Sequence, residues 1–277
     1  TMTLTSPLRY PGSKHQLSQY VQDVLELNGL RPSLYVEPFV GGASVALHML
    51  QLPSVEQVIL MDVDPWVASF WQTLFFDTAW LIEQVQAVEV TVERWQQFKN
   101  ARPETSREQA LTLLFLNRTN YSGILEGQVG PIGGKGQRSA YDIACRFPRA
   151  TLVKRIGQIA MYRDKIRGIW ACSWDDGVAR LLELQRAGEV SRNTFWYCDP
   201  PYYGPRKLYR YEFSDTDHRQ LRDFLMALRQ PWLLSYDVAQ AIRELYSGAQ
   251  VREIEWRYSS VRSRGHELLI SNSLILQ

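Results

Sequence analysis

The segment Phe195-Trp196-Tyr197-Cys198-Asp199-Pro200-Pro201-Tyr202 joins a short apolar run to an acid and two prolines. An apolar run that ends this abruptly is typical of a buried strand in a parallel sheet. Proline cannot donate a backbone hydrogen bond to a neighbouring strand, so the strand must end here and the chain must turn stiffly away. We therefore predict that Asp199, Pro200 and Tyr202 lie at the carboxyl edge of a sheet, where open α/β folds bind ligands.

Similar apolar runs occur at residues 34–36, 58–61, 169–172 and 232–235. Amphipathic segments lie between them, such as residues 44–51 and 217–228, and these predict helices. Strands that alternate with helices predict an α/β fold with a Rossmann-like, doubly wound sheet. Near the end, residues 251–258 and 267–276 flank a short polar connection and predict an antiparallel strand pair.

Residues 76–165 break this alternation, because their pattern is mostly helical with a glycine-rich interruption at 123–136. We predict an inserted domain here, with residues 1–75 and 166–277 forming the domain that contains the sheet. Its later part holds eight basic residues: Lys135, Arg138, Arg146, Arg149, Lys154, Arg155, Arg163 and Lys165. Only two acids, Asp142 and Asp164, accompany them. Such an excess suits contact with a phosphate backbone, although a solvated helical face would also account for it.

Composition excludes several classes of protein. The 277 residues carry 31 basic and 29 acidic side chains, so a net charge of +2 points to no partner by itself. Three unpaired cysteines and four scattered histidines offer neither a disulfide framework nor metal-ligand spacing, and we expect no metal. No apolar stretch approaches the ~20 residues of a membrane span, and the start lacks a signal-peptide core. We expect a cytoplasmic enzyme that acts as a monomer.

The corner at residues 199–202 suits a reaction at the exocyclic amine of a nucleic-acid base. Such an amine is a poor nucleophile because its lone pair is delocalised into the ring. The Asp199 carboxylate and the Pro200 carbonyl could accept its two N–H bonds and so favour a pyramidal nitrogen, while the Tyr202 ring stacks on the base. A base within a duplex must be flipped out to reach such a corner.

A second motif, Tyr35-Val36-Glu37-Pro38-Phe39-Val40-Gly41-Gly42-Ala43-Ser44, predicts a strand end followed by a turn that a ligand can approach closely. Asp62 follows Gly42 by 20 positions, at the end of the next predicted strand. In doubly wound folds that spacing places a carboxylate on the ribose hydroxyls of a nucleotide-like ligand.

A third motif, Arg9-Tyr10-Pro11-Gly12-Ser13-Lys14, is a Pro-Gly turn that carries an aromatic residue and a lysine. It could close over a small molecule, with the lysine facing a carboxylate.

In this order, and with the segment Leu116-Asn117-Arg118-Thr119-Asn120-Tyr121-Ser122-Gly123, the motifs resemble those of the Dam-like (alpha-group) DNA adenine-N6 methyltransferases. The resemblance implies a methyltransferase that uses S-adenosylmethionine and releases S-adenosylhomocysteine. It implies that Asp199, Pro200, Pro201 and Tyr202 form the catalytic corner. The cofactor-binding residues that it implies are Tyr10, Lys14, Glu37, Phe39, Gly41, Asp62, Asp175 and Asp199. Asp176 is an alternative to Asp175.

The same resemblance implies that the insertion recognises the target site in double-stranded DNA. The residues that we expect to contact DNA are Arg118, Asn120, Tyr121, Lys135, Arg138, Arg262 and Arg264. Arginine pairs equally well with guanine and with a phosphate, so the Arg118 contact stays open between the two. Arg262 and Arg264 could equally serve solubility.

Three other activities stay open at this stage. Cytosine N4 is a similar amine, and related motifs serve its methylation. Adenines in RNA are another substrate, although the long insertion favours DNA. A protein of this fold could also bind DNA without turnover, although the intact Asp199 and Tyr202 argue against it.

Overall fold

The computed structural model describes residues 2–9, 14–123, 125, 129–204, 211–257 and 264–277, with the backbone alone at Lys14, Ser122, Arg257 and Arg264. The strands within these ranges are β1 (Leu34–Glu37), β2 (Gln57–Asp62), β3 (Ile166–Ala171), β4 (Thr194–Cys198), β5 (Trp232–Asp237), β6 (Gln250–Arg257) and β7 (Arg264–Ser271). The α-helices are α1 (Lys14–Leu27), α2 (Ser44–Met49), α3 (Pro65–Phe76), α4 (Thr78–Ala87), α5 (Val92–Asn100), α6 (Ser106–Thr119), α7 (Arg149–Ala160), α8 (Trp174–Arg186), α9 (Asp215–Ala227) and α10 (Gln240–Leu245).

The seven strands form one sheet in the order β3-β2-β1-β4-β5-β7-β6. The first five strands are parallel to one another, and β7 runs antiparallel to both β5 and β6. This arrangement confirms the predicted doubly wound sheet and its antiparallel C-terminal pair. The predicted bounds were least accurate for β7, which ends at Ser271 because the chain turns there: the Ser271 hydroxyl accepts from the backbone N–H of Leu274.

The strand order reverses between β1 and β4. These two strands pair in parallel, with Tyr35 beside Phe195 and Val36 beside Trp196. The chain leaves β1 towards one side of the sheet and leaves β4 towards the other. Such a switch point opens a crevice beyond the carboxyl ends of the two strands, and in open α/β sheets the ligand binds there.

Helices cover both faces of the sheet. Buried residues of α1 to α7 form one core, which includes Tyr35 and Tyr197 from the strands. Buried residues of α8, α9 and α10 form the other core, which includes Val36 and Cys198. Because successive side chains of a strand point to opposite faces, alternate positions along each strand belong to the same core.

The insertion predicted at residues 76–165 contains α4 to α7 and a long connection between α6 and α7. Its helices contribute Leu81, Trp95, Phe115 and Leu152 to the core that also contains residues of α3. The insertion therefore packs on the sheet domain through a shared core, and the domain bounds stay a prediction. Within the described part of the chain, every helix is too short or too polar to cross a membrane.

Candidate active site

Four neighbouring strands carry an acid at the carboxyl edge of the sheet. The acids are Asp62 of β2, Glu37 of β1, Asp199 directly after β4, and Asp237 of β5. Each acid lies an even number of positions along the chain from a residue of the strand that it ends or follows, and that residue belongs to the core formed with α1 to α7. All four side chains therefore start from the face of the sheet that these helices cover. Glu37 is buried, whereas the other three acids are half-buried. The edge around the switch point therefore presents oxygen acceptors to a ligand.

Glu37 receives a hydrogen bond from the hydroxyl of Tyr35, two positions earlier on β1. The nearby thiol of Cys198 is fully buried, and burial raises its pKa, with the charges of Glu37 and Asp199 raising it further. Both carboxylates lie close to the end of β4, because Val36 pairs with Trp196 and Asp199 follows Cys198 directly. The raised pKa keeps the thiol protonated, so it is not a nucleophile at neutral pH.

The turn after β1 is held against the end of β2. Gly41 has a φ of +47°, a left-handed conformation that glycine adopts without steric cost. Its N–H donates to Asp62 Oδ2 at 3.0 Å, and Asp62 Oδ1 accepts from the N–H of Asp64 at 3.0 Å. Burial raises the pKa of the Asp62 carboxyl to about 7, against the lowering effect of these two backbone hydrogen bonds. Ligand hydroxyls that donate to Asp62 would favour its ionised form.

Phe39 lies in the same turn and is half-buried. Its ring meets the ring of Phe213 edge to face, with 5.5 Å between the centroids. Phe213 comes just before α9, in the connection that follows the double-proline corner along the chain. The contact therefore joins the two turns that leave the sheet at the switch point.

The predicted catalytic corner lies at the carboxyl edge, as the two prolines require. Pro200 is buried, whereas Asp199, Pro201 and Tyr202 are half-buried and so are not enclosed in the core. Asp199 Oδ1 accepts a hydrogen bond of 2.9 Å from the hydroxyl of Ser235, a residue of β5. Sequence analysis missed Ser235, although its position on the same face as Asp237 in β5 was a signal that could have identified it.

Asp175 and Asp176 lie in the first turn of α8, and both are exposed. This turn approaches the end of β2 closely: a Cβ on Gly177 would lie 2.4 Å from Met61 Sδ. A side chain at position 177 would therefore require the Met61 side chain to move. The close approach brings the two acids to the edge that also holds Asp62, and either one stays a candidate for cofactor binding.

The third motif lies mostly outside the described residues. Tyr10 lies outside the described residues. Lys14 is the first residue of α1 and is described by its backbone alone. Arg9, the first residue of the motif, is held by the side-chain amide of Asn117: its N–H donates to Asn117 Oδ1 at 2.6 Å, and its carbonyl accepts from Nδ2 at 2.8 Å. The start of the chain is therefore attached to the end of α6.

The residues predicted to contact DNA fall into three groups. Tyr121, Lys135 and Arg138 are exposed, and Tyr121 retains 68% of its accessible surface. Arg262 lies outside the described residues, and Arg264 is described by its backbone, which begins β7.

The third group, Arg118 and Asn120, is buried. Asn120 is 0% exposed, and its side-chain oxygen accepts from Trp95 Nε1 at 2.7 Å. This hydrogen bond gives Asn120 a structural role, and its contact with DNA stays a prediction. Arg118 is 7% exposed and donates to the backbone carbonyls of Pro7 and Arg146. A DNA contact by Arg118 must use the remaining N–H groups of its guanidinium.

Arg118 belongs to a group of four arginines. Its pKa is lowered to about 10, mainly by burial and in addition by the charges of Arg155, Arg9 and Arg146. Arg9 Nη1 is buried and has no hydrogen-bond partner among the described residues. Like charges packed this closely repel one another, so an anion bound among them would be stabilising.

The acids at the carboxyl edge of the sheet offer hydrogen-bond acceptors to a ligand. Within the described ranges, no three His, Cys, Asp or Glu side chains converge as metal ligands would. A parallel sheet with an antiparallel β6–β7 pair, with acids along its carboxyl edge and a double-proline corner at the switch point, defines a Rossmann-like methyltransferase.

Comparison with known proteins gives the family. The chain belongs to the D12 class N6 adenine-specific DNA methyltransferases, whose profile matches residues 10–139 and 184–260. It is also similar to the Type II methyltransferase M.MjaIII of Methanocaldococcus jannaschii, with 22% identity over 274 residues that cover 89% of each chain. The protein is thus an adenine-specific DNA methyltransferase, and methyltransferases of this kind use S-adenosylmethionine.

Proposed function

We propose that this enzyme methylates N6 of an adenine flipped out of a specific short sequence in double-stranded DNA, with Asp199 and Tyr202 at the reacting amine. The observation that carries the proposal is the position of Asp199: it is half-exposed at the switch point, and Ser235 holds one of its oxygens. In that position a carboxylate can accept an N–H of the amine while the adjacent Pro200 carbonyl accepts the other. The Tyr202 ring then stacks on the base, a contact worth about 1–3 kcal/mol.

The cofactor would lie along the edge from β2 to β4. Its ribose hydroxyls would donate to Asp62, Gly41 would let it approach the backbone, and Glu37 and Phe39 would line the turn. Asp175 would lie beside its adenine, and Tyr10 and Lys14 would cover its amino-acid end. When bound, S-adenosylmethionine supplies a methyl group on a positively charged sulfur, which the amine nitrogen can take directly. The chain contributes mainly positioning and charge placement to this reaction.

The DNA would lie over the insertion. Tyr121, Lys135 and Arg138 are exposed and suited to contacts with bases and phosphates. The four-arginine group of Arg9, Arg118, Arg146 and Arg155 would hold a backbone phosphate, which supplies the anion that their mutual repulsion favours. Arg262 and Arg264 would contact the backbone on the other side of the flipped base. We also propose that the enzyme acts as a monomer in the cytoplasm, where DNA and cofactor are present.

The test is to incubate the purified protein with double-stranded DNA and S-adenosylmethionine and to analyse the nucleosides by mass spectrometry. We expect N6-methyladenine from the wild type and none from Asp199→Ala, while the affinity of Asp199→Ala for S-adenosylhomocysteine falls by less than about tenfold, the equivalent of one weak hydrogen bond. N4-methylcytosine without methyladenine would refute the proposal. Binding of DNA and cofactor without any transfer would identify a protein that keeps the fold and lacks turnover.

A further inference from the structure

The double-proline corner cannot be held by the backbone ladder that holds the rest of β4. The parallel pairing of β4 with β5 runs through Trp196 beside Trp232, Tyr197 beside Leu233, and Cys198 beside Leu234. Beyond Cys198 the ladder stops, and neither Pro200 nor Pro201 has an N–H with which to continue it. The position of the corner must therefore depend on other contacts.

Strand β5 continues past this point to Asp237, and its side chains replace the missing ladder. Ser235 is 0% exposed, and its hydroxyl donates to Asp199 Oδ1 at 2.9 Å. Two positions further on the same face, Asp237 Oδ1 accepts from the backbone N–H of Tyr203 at 3.0 Å. The two bonds hold the corner at its first residue and directly after its last, on either side of the two prolines.

The direction of the hydrogen bonds at Ser235 follows from the number of protons. The Tyr197 hydroxyl lies 2.7 Å from Ser235 Oγ, and Tyr197 is itself buried. A serine hydroxyl has one proton, and Ser235 gives it to the carboxylate of Asp199. Tyr197 must therefore donate to Ser235. The two hydrogen bonds then run in one direction, from Tyr197 to Ser235 and from Ser235 to Asp199. Because the Ser235 oxygen accepts from Tyr197, the Ser235 hydroxyl has little freedom to rotate away from the carboxylate of Asp199.

We propose that Ser235 and Asp237 are positioning residues of the methyl transfer, which act through the corner and do not touch the substrate. This inference rests on the proposed function of Asp199. Ser235 sets the direction in which the carboxylate of Asp199 presents its acceptor oxygens to the amine. Asp237 fixes the backbone that follows Tyr202, and thereby the plane in which its ring meets the base.

The experiment compares Ser235→Ala with Ser271→Ala in the full-length enzyme. Ser271 is the matched control, because it is a fully buried serine on β7 whose hydroxyl donates to the carbonyl of Trp232 at 2.7 Å, at the opposite end of the same strand β5. Each variant loses one buried hydroxyl, the hydrogen bond that it donates, and those that it accepts: from Tyr197 at Ser235, and from the N–H groups of Ser273 and Leu274 at Ser271. We expect similar losses of stability. The measurements are kcat and KM with a DNA substrate, and the affinity for S-adenosylhomocysteine by calorimetry.

For Ser235→Ala we expect kcat to fall about 10- to 100-fold, the range for a hydrogen bond to a charged group. KM for the cofactor and the affinity for S-adenosylhomocysteine should stay within threefold of the wild type. For Ser271→Ala, kcat, KM for the cofactor and the affinity for S-adenosylhomocysteine should all stay within threefold. A kcat of Ser235→Ala within twofold of the wild type, or no lower than that of Ser271→Ala, would overturn the inference. A wild type that transfers no methyl group would instead overturn the proposed function.

Tyr197→Phe keeps the experiment decisive if Ser235→Ala does not fold. It retains the ring in the core and removes only the hydroxyl that orients Ser235. We expect a smaller fall in kcat, about 3- to 10-fold, because a neutral hydrogen bond is weaker than one to a charged group. An unchanged kcat in Tyr197→Phe, with the S-adenosylhomocysteine affinity also unchanged, would overturn the inference, because the hydrogen bond from Tyr197 that orients Ser235 would then not matter for catalysis.

Discussion

The side-chain amide of Asn117 binds both the N–H and the carbonyl of Arg9, at 2.6 Å and 2.8 Å. The two residues are 108 positions apart, and the contact attaches the last turn of α6 to the first residue of the third motif. Gly123 packs against this contact, since a Cβ there would lie 3.1 Å from the Asn117 carbonyl and 3.6 Å from Arg9 Cβ. The segment of residues 116–123 that resembles the Dam-like enzymes therefore includes a structural clamp.

Replacing Asn117 should destabilise the protein. Asn117→Ala removes both hydrogen bonds and leaves two partly buried backbone groups of Arg9 unpaired, so we expect the free energy of unfolding to fall by about 1–3 kcal/mol. Urea denaturation measures the change. Gln19→Ala removes an exposed amide that binds Asp23 on α1, and we expect a change within about 0.5 kcal/mol. Equal effects of the two substitutions would contradict the clamp.

Cofactor binding should depend on pH through Asp62. Burial raises the pKa of its carboxyl to about 7, so the protonated form predominates below that pH. In the proposed cofactor site the ribose hydroxyls would donate to the ionised form of Asp62. The affinity for S-adenosylhomocysteine should therefore rise as the pH increases through about 7 and then level off. Calorimetry between pH 5.5 and 8.5 measures this dependence. Asp62→Ala, which lacks the titrating group, should bind more weakly and show no such rise.

The stability of the unbound protein should depend on pH in the opposite direction to the cofactor affinity. The carboxyl of Asp62 is protonated more easily in the folded protein than at its ordinary value of 3.8. Its contribution to stability is therefore present at low pH and is lost as the pH rises from about 4 to 7. A thermal melting series on wild type and Asp62→Ala should show that wild type loses stability relative to the variant across this window. A difference that stays constant with pH would contradict the raised pKa.

Two adjacent glycines in the insertion should respond differently to alanine. Gly133 and Gly134 both have positive φ, at +83° and +73°, so alanine is strained at either position. Only at Gly133 would the new Cβ meet another atom, the carbonyl oxygen of Tyr141 at 2.4 Å, whereas Gly134 faces open space. We expect Gly133→Ala to weaken DNA binding by about tenfold more than Gly134→Ala, because the loop must move as well. Fluorescence anisotropy with labelled duplex DNA measures both affinities, and equal losses would argue against this loop as a DNA contact.

The salt dependence of DNA binding should identify the basic contacts. Each phosphate contact that is removed should reduce the slope of log K against log salt by about 0.9. We expect this reduction for Lys135→Ala and for Arg138→Ala, whose side chains are exposed on the insertion. Arg31→Ala is the control, because Arg31 is exposed before β1, at the amino edge of the sheet. Slopes that are unchanged in the first two variants would place the DNA elsewhere.

The strand ends and the acids at them were predictable from sequence because they depend on neighbouring residues. Apolar runs that end in an acid gave the parallel strands, and the two prolines after Asp199 required that β4 end at the carboxyl edge. Side chains alternate along a strand whatever lies beyond it, so the acids of β2, β1, β4 and β5 had to share a face once the strands were aligned. The composition of residues 135–165 likewise indicated a basic insertion, of which Lys135 and Arg138 are exposed.

Contacts between distant segments were decided by the tertiary structure alone. Nothing near Ser235 in the sequence indicates a bond to Asp199, because the 36 positions between them are brought together by the pairing of β4 with β5. The burial of Arg118 and Asn120 has the same origin: a charged or amide side chain in a polar motif suggests a surface, and only the packing of α6 against Pro7 and Trp95 encloses it. Local periodicity fixes which face a residue occupies, whereas the partner that it meets there depends on how the whole chain packs.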